Sequence, residues 1–416
     1  MYEAFQAFRV FDFEAMSSMP DERPSATREA DVSMGIVVER AGAERLASIE
    51  PAWRDLVGRA LEPNVFMDPR LLAAAIASVP KRKFAILLAW DSNRADARLL
   101  GLWGGVIARA LLPLCVLRIP AGPHGYLATP ILDSGMAEAV LHAMLDAIAA
   151  ASDLPNILSA TPMRADGATM PILHRVMRAR QAGLHVFARW RRPLLQSDMG
   201  GNAYLAAAKS SSSRKKLRQH RRRLAERGAL TLHAYLSPAD VSAALERFLI
   251  LEAAGWKGRH GTALNSSAAD VAFARRMITT LSARGDVRIY ALHLDNSPVS
   301  MQIMLRCGDA AFAWKTTYDE DMHEVSPGML LLEDSTTALL ADPAIAFADS
   351  CAFDENSYMA VWRERETLAE LWIDARCGGS LVFNTCARIQ GILLRMRSLL
   401  KRLYGMGMET WKKFKP

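Results

Sequence analysis

Residues 287–334 read VRIYALHLDNSPVSMQIMLRCGDAAFAWKTTYDEDMHEVSPGMLLLED, and this stretch decides the fold. Val287–Leu294 alternates apolar and polar side chains and ends in Asp295–Pro298 (DNSP), a tight turn. Val299–Arg306 is the returning strand, Cys307–Asp309 holds a second turn, and Ala310–Thr317 is a third antiparallel strand. A polar loop then reaches Ser326-Pro327-Gly328. A helix follows over Met329–Ala341, stopped by Pro343, and Ile345–Phe347 begins another strand.

Working outward, the same order of elements recurs earlier in the chain. Trp53, Leu56 and Val57 lie on one helical face, Phe84–Trp90 is a continuous apolar strand, and Asp91–Asp96 is a turn. Arg98–Ala108 returns, Ala121–Leu132 (AGPHGYLATPIL) is rich in Gly and Pro, and Ser134–Ala151 reads as an amphipathic helix with Ser134 as its cap. Gln196–Gly201 is a polar joint. Beyond it come a basic helix over Tyr204–Arg227 and a helix over Asp240–Ala254. A chain of 416 residues exceeds one ordinary core. The reading is therefore two α/β domains, 35–195 and 196–375, with an acidic leader over 1–34 and a basic amphipathic helix within 376–416.

The formal charge of +7 is local rather than global. Residues 388–416 hold eight bases and one acid, residues 214–227 hold eight bases and one acid, and residues 1–50 hold ten acids and five bases. Neither basic run spreads over a whole domain, and residues 214–227 contain no interleaved aromatics, so nucleic acid is not the expected partner. The five cysteines show no CxxC pair, so no metal site is expected and a cytoplasmic protein is. The stripe Ile389, Ile392, Leu393, Met396, Leu399, Leu400 and Leu403, flanked by bases, suits docking on the body, the preferred reading, or peripheral contact with an anionic membrane.

Four segments resemble the GNAT superfamily of N-acetyltransferases in its CelD/BcsL-like (cellulose biosynthesis) branch, which is related to the FemAB tandem-domain transferases. They are 211–228 (SSSRKKLRQHRRRLAERG), 251–264 (LEAAGWKGRHGTAL), 296–321 and 326–334. Trp53, Leu56 and 62–69 (EPNVFMDP) resemble the branch's N-terminal domain. The resemblance implies two tandem GNAT-like domains, each a mixed twisted sheet flanked by helices. It implies an acyltransferase that takes acetyl from acetyl-CoA to a sugar or cell-envelope (exopolysaccharide) precursor. The alternatives are a FemAB-like aminoacyl transferase and a catalytically degenerate accessory protein of polysaccharide biosynthesis.

The donor's pyrophosphate is expected at Ser326, Pro327, Gly328 and Met329, where backbone N–H groups and the helix dipole favour an anion. Lys315, Thr316 and Thr317 would line the acyl arm. The candidate catalytic residues are Glu252 as base, Tyr318 as acid, and Tyr358. Arg218, Arg222, Trp256, Lys257, Gln302 and Asp349 are expected to contact substrate, with Glu252 and Trp256 on one helical face if the helix persists through Gly255. Asp349, Tyr358 and Trp362 match a segment that in this branch reads Asp, then Gly-Asp-x-x-Tyr-Lys-x-x-Trp, but Met359 stands at the Lys. Met359 can neither bind an anion nor steady an oxyanion, and this departure favours the accessory reading.

Overall fold

The structure, a computed structural model, describes residues 35–413 apart from 112, 113 and 123; the acidic leader lies outside the described residues. The first half runs β1 (Val37–Arg40), α1 (Ala43–Ser48), α2 (Glu50–Val57), α3 (Pro69–Ser78), β2 (Phe84–Trp90), β3 (Leu99–Leu111), β4 (Leu114–Ile119), β5 (Ile131–Leu132), α4 (Ala137–Ala150), β6 (Ile157–Arg164), α5 (Thr169–Ala179) and β7 (Leu184–Leu195). The second runs α6 (Gly201–Ala208), α7 (Ser211–Ala225), β8 (Leu230–Tyr235), α8 (Pro238–Ala254), α9 (Trp256–Arg259), α10 (Ala268–Ser282), β9 (Val287–Leu294), β10 (Ser297–Cys307), β11 (Ala310–Tyr318), α11 (Pro327–Leu340), β12 (Phe347–Asp349), β13 (Glu364–Asp374) and α12 (Leu381–Lys413).

The meander β9–β10–β11 lies where its alternation and turns put it. Asp295 (φ +53°) and Gly308 (φ +61°) take the left-handed conformations its two turns need. Three local expectations need correction. The basic helix over Tyr204–Arg227 is two helices, because Ser210 breaks it and caps α7, its Oγ accepting from Ser213 N at 3.2 Å. Helix α4 starts at Ala137 rather than Ser134; its N-cap is Met136, without a side-chain cap. Helix α8 ends at Ala254, and Gly255 is extended (φ −83°, ψ −171°), so Glu252 and Trp256 do not share a helical face.

All strands join one mixed sheet, in the order β1-β2-β3-β4-β6-β13-β7-β12-β11-β10-β9-β8, with β5 paired to β3. Read inward from either edge, the pattern is the same. Four antiparallel strands are followed by a parallel neighbour, β6 beside β4 in one half and β12 beside β11 in the other. The last strand of each half then crosses over: β7 pairs with β12, β13 pairs with β6, and β7 and β13 pair with each other at the centre. Each half thus completes its sheet with a strand from the other.

The cores also merge. Phe66 of the first half meets Phe312 of the second with ring centroids 5.7 Å apart, and α3 packs along α10. At the centre, four buried charged side chains bridge the halves. Arg192 on β7 lies opposite Glu366 on β13 in register, Nε to Oε1 2.7 Å. Arg164 Nε reaches the other Glu366 oxygen at 2.9 Å, and Arg192 also donates to Asp349 at the end of β12. Burial and the neighbouring Glu366 charge push the Asp349 carboxyl up to about 7. Burial opposes ionisation of Glu366 as well, but Arg192 and Arg164 hold it down to about 2.

Candidate functional site

The two parallel strand pairs, β4/β6 and β11/β12, end differently. In the second half β11 and β12 pair only from Ala310↔Phe347 to Phe312↔Asp349. Beyond that, β11 continues on β10 to Tyr318, while the other chain turns away at Ser350, whose N–H donates to Pro193 O at 3.3 Å. The loop 319–326 faces this split, and its Asp321, His323 and Glu324 are exposed. In the first half β4 and β6 pair from Leu117↔Leu158 to Ile119↔Ala160, and the following chain fills the gap. Ala128 N donates to Pro162 O at 2.6 Å, Trp103 Nε1 donates to Ala128 O at 3.0 Å, and Asn64 Nδ2 donates to Leu127 O and Thr129 O. Leu127, Ala128 and Thr129 are completely buried. The chain after β4 thus bonds across its split to β6, whereas among the described residues the chain after β11 makes no such backbone bond to β12.

On the α11 side of the second-half split, Ser326 adopts the left-handed conformation (φ +49°, ψ +56°) without being glycine. Such a residue costs about 1 kcal/mol, and strain of this kind gathers at functional turns. Pro327 then starts α11, and the Tyr318 ring lies against Gly328. A Cβ at Gly328 would sit 3.5 Å from Tyr318 Cδ1, an ordinary contact, so packing does not demand glycine there. Gln302, Thr316 and Tyr318 lie at alternate register positions on β10 and β11, and buried Gln302 Oε1 has no hydrogen-bond partner among the described residues. The basic helix α7 packs beside this turn. Arg221 is paired with Asp334 of α11 and Lys209 with Glu333, whereas Arg218 and Arg222 are exposed.

The other side of β11 carries a buried polar cluster. Glu252 accepts from Lys257 Nζ at 2.9 Å and from Leu264 N at 2.8 Å, and Lys257 also donates to Thr316 O at 2.9 Å. Burial opposes ionisation of Glu252, yet Lys257 and Lys315 hold its carboxyl below the ordinary range. Burial, with Lys315 nearby, lowers Lys257 despite that partner. Trp256 is half-buried, and its N–H is anchored by Glu320 of the 319–326 loop. Lys315, also buried, points its Nζ toward the rings of Tyr126 and Trp314 at 5.9 and 5.8 Å.

The first half supplies residues to this cluster that sequence reasoning did not single out. His124 O accepts from Trp314 Nε1 at 3.1 Å, its ring stacks on Phe273 with centroids 5.6 Å apart, and its Nε2 lies 3.0 Å from Asp270 Oδ1. Burial, helped by Lys315, lowers the His124 pKa below the usual imidazole value, and Asp270 only partly offsets this. That shift favours the neutral ring, the form that accepts a proton. The Gly/Pro-rich stretch 121–132 was the only sign of this loop, and nothing in it told that it crosses to the other half.

The structure separates the expected site residues, with Trp256 half-buried at the start of α9 and Arg218 and Arg222 exposed on α7. Gln302, Thr316, Tyr318, Ser326, Pro327, Gly328 and Met329 gather around the second-half split, Thr317 is buried on the same strand, and Lys315 points to the other side of β11. Glu252 and Lys257 occupy the cluster behind it, where both Glu252 oxygens are committed to protein partners. Asp349 belongs to the central ion cluster and is fully buried, and Tyr358 is 52% exposed. Met359 packs, 1% exposed, in the core with Leu330, Leu331 and Ala313. Lysine there would bury an ammonium. Met359→Lys is expected to lower stability by about 2–3 kcal/mol in a denaturant melt rather than restore a missing contact. A cleft of about 380 Å³ lined by Trp53, Asp68, Arg70, Asp286 and Arg306 lies at the far end of β10 and β11 from Tyr318.

Residues 211–348 match the family profile described as the acetyltransferase (GNAT) domain. No curated protein matches the chain. Among solved structures, FemX is similar at 10% identity and TM-score 0.54, covering 80% of this chain and 96% of its own. A tandem GNAT protein from the clavulanic acid biosynthesis pathway is similar at 13% identity and TM-score 0.41, covering 81% and 98%. L-PGS from Bacillus licheniformis is similar at 12% identity and TM-score 0.43, covering 78% and 98%. Residues 211–348 are thus similar to the acetyltransferase (GNAT) domain, within a fold similar to that of FemX.

Proposed function

We propose that the protein is an acyltransferase with one donor site, in the split of its second half. The donor is an acyl thioester, acetyl-CoA in the first instance. The acceptor is an amine or hydroxyl of a sugar or cell-envelope precursor, as the resemblance to the CelD/BcsL-like branch suggests. The observation that carries the reading is the contrast between the two halves: residues 127–129 bond across the first split, while among the described residues the chain after β11 makes no such backbone bond to β12 and instead forms the strained Ser326 turn.

In this reading the pyrophosphate rests on the Ser326–Met329 turn, whose N–H groups and helix dipole favour an anion. Exposed bases of α7, among them Arg218 and Arg222, attract the carrier's phosphates. The acyl arm passes along β11, where the unpaired Gln302 Oε1 can accept from an amide N–H of the arm. The acceptor enters from the side of His124, Lys257 and Trp256. It attacks the thioester carbonyl while neutral His124 takes its proton, and Tyr318 protonates the departing thiolate. Glu252 is reassigned from base to anchor, because its oxygens hold Lys257 and Leu264 N. The FemX-like fold keeps an aminoacyl donor as the second reading.

Calorimetric titration with acetyl-CoA tests the donor. Binding is expected, weakened at least about tenfold in Gly328→Ala, while that variant's thermal stability is unchanged or slightly raised because glycine disfavours a helix. Binding equal in both proteins would remove the pyrophosphate from this turn. No binding of acetyl-CoA together with binding of an aminoacyl donor would select the second reading.

A further inference from the structure

Helix α12 docks by its start. Phe383 and Ala387 are buried against Val116, Ile157 and Trp372, and the Phe383 ring fills the space over Gly183, where a Cβ would lie 2.3 Å from it. A Cβ added at Gly391 would lie 3.8 Å from the Phe187 ring. Around and beyond that point most of the described apolar side chains are exposed, Leu393 and Leu394 being half-buried. Ile389, Ile392, Met396, Leu399 and Leu400 are 45–62% exposed, although their spacing places them on one helical face. Among the described side chains, the docking expected from the sequence is therefore strongest over the first turns.

Two occupants suit an apolar helical face of this length: a second copy of the chain or a lipid surface. Charge decides between them. Residues 388–416 contain Arg388, Arg395, Arg397, Lys401, Arg402, Lys412, Lys413 and Lys415 against Glu409 alone. Two such helices side by side would set base against base, with almost no acid to pair. An anionic bilayer meets both properties, taking the apolar face into the acyl boundary and the bases onto its headgroups. Among the described residues no helix is long and apolar enough to cross a membrane, so the helix would lie in the interfacial plane.

We propose that α12 is a peripheral anchor that holds the protein on anionic phospholipid bilayers. This inference stands apart from the acyltransferase reading, since none of its residues lines the split. The test is co-sedimentation of the full chain with phosphatidylcholine vesicles and with vesicles also containing phosphatidylglycerol. Partition to the anionic vesicles is expected to exceed that to the neutral ones by at least about tenfold and to decline with salt. The double variant Ile392→Asp/Leu399→Asp alters exposed positions only, and should keep its melting temperature while losing the vesicles. Equal partition to both vesicle types, or none, overturns the proposal. So does a wild-type dimer in sedimentation velocity that becomes monomeric in the double variant while vesicles are ignored.

Discussion

Replacing Arg192 with methionine is expected to lower the unfolding free energy by about 3–5 kcal/mol, the usual cost of breaking a buried ion pair. The guanidinium is fully buried and donates to Glu366, to Asp349 and, at 3.0 Å, to Tyr126 O, so its loss strands two carboxylates and a carbonyl in the interior. Denaturant unfolding followed by tryptophan fluorescence measures the change. Because β7 and β13 each complete the other half's sheet, both halves should unfold in one transition in wild type and variant. Removing a partner carboxylate as well, in Arg192→Met/Glu366→Leu, should recover part of the loss. A loss below about 1 kcal/mol for the single variant would mean that the cluster is solvated and does not hold the halves together.

How much of this was legible in the sequence differs by element. The meander β9–β11 was readable because alternation and turn residues are local signals. The repeated order of elements was readable too, for the same reason. The exchange of β7 and β13 was not. Leu184–Leu195 and Glu364–Asp374 show no feature that names a partner strand, and the complement of Arg192 and Glu366 appears only once both strands meet. The turn Ser326–Met329 was legible because its residues are contiguous. The Glu252–Lys257 pair was not, because Gly255 ends the helix and lets Lys257 fold back. His124 meets Trp314 across 190 positions of sequence, a distance over which periodicity carries no information.

His124→Gln is expected to lower kcat/KM for acyl transfer by about 10²–10⁴-fold, the range for loss of a positioned base. Its melting temperature should stay close to wild type, since glutamine keeps polar atoms near Asp270. In the wild-type protein a base lowered below the usual imidazole value is expected to keep activity flat at neutral pH. The rate is lost as pH falls through that lowered pKa. Asp270→Asn removes a charge that favours the protonated ring, so the acidic limb should move to lower pH. A His124→Gln enzyme within about threefold of wild type, with the acidic limb intact, would return the role of base to another group.

The most direct measurement of the central claim is a crystal structure with acetyl-CoA, or its non-hydrolysable analogue, bound. The account predicts the pyrophosphate on the Ser326–Met329 turn, the arm between β11 and the chain after β12, and no donor at β4/β6. A donor seated in the first half, or in the cleft between Trp53 and Arg306, would contradict it.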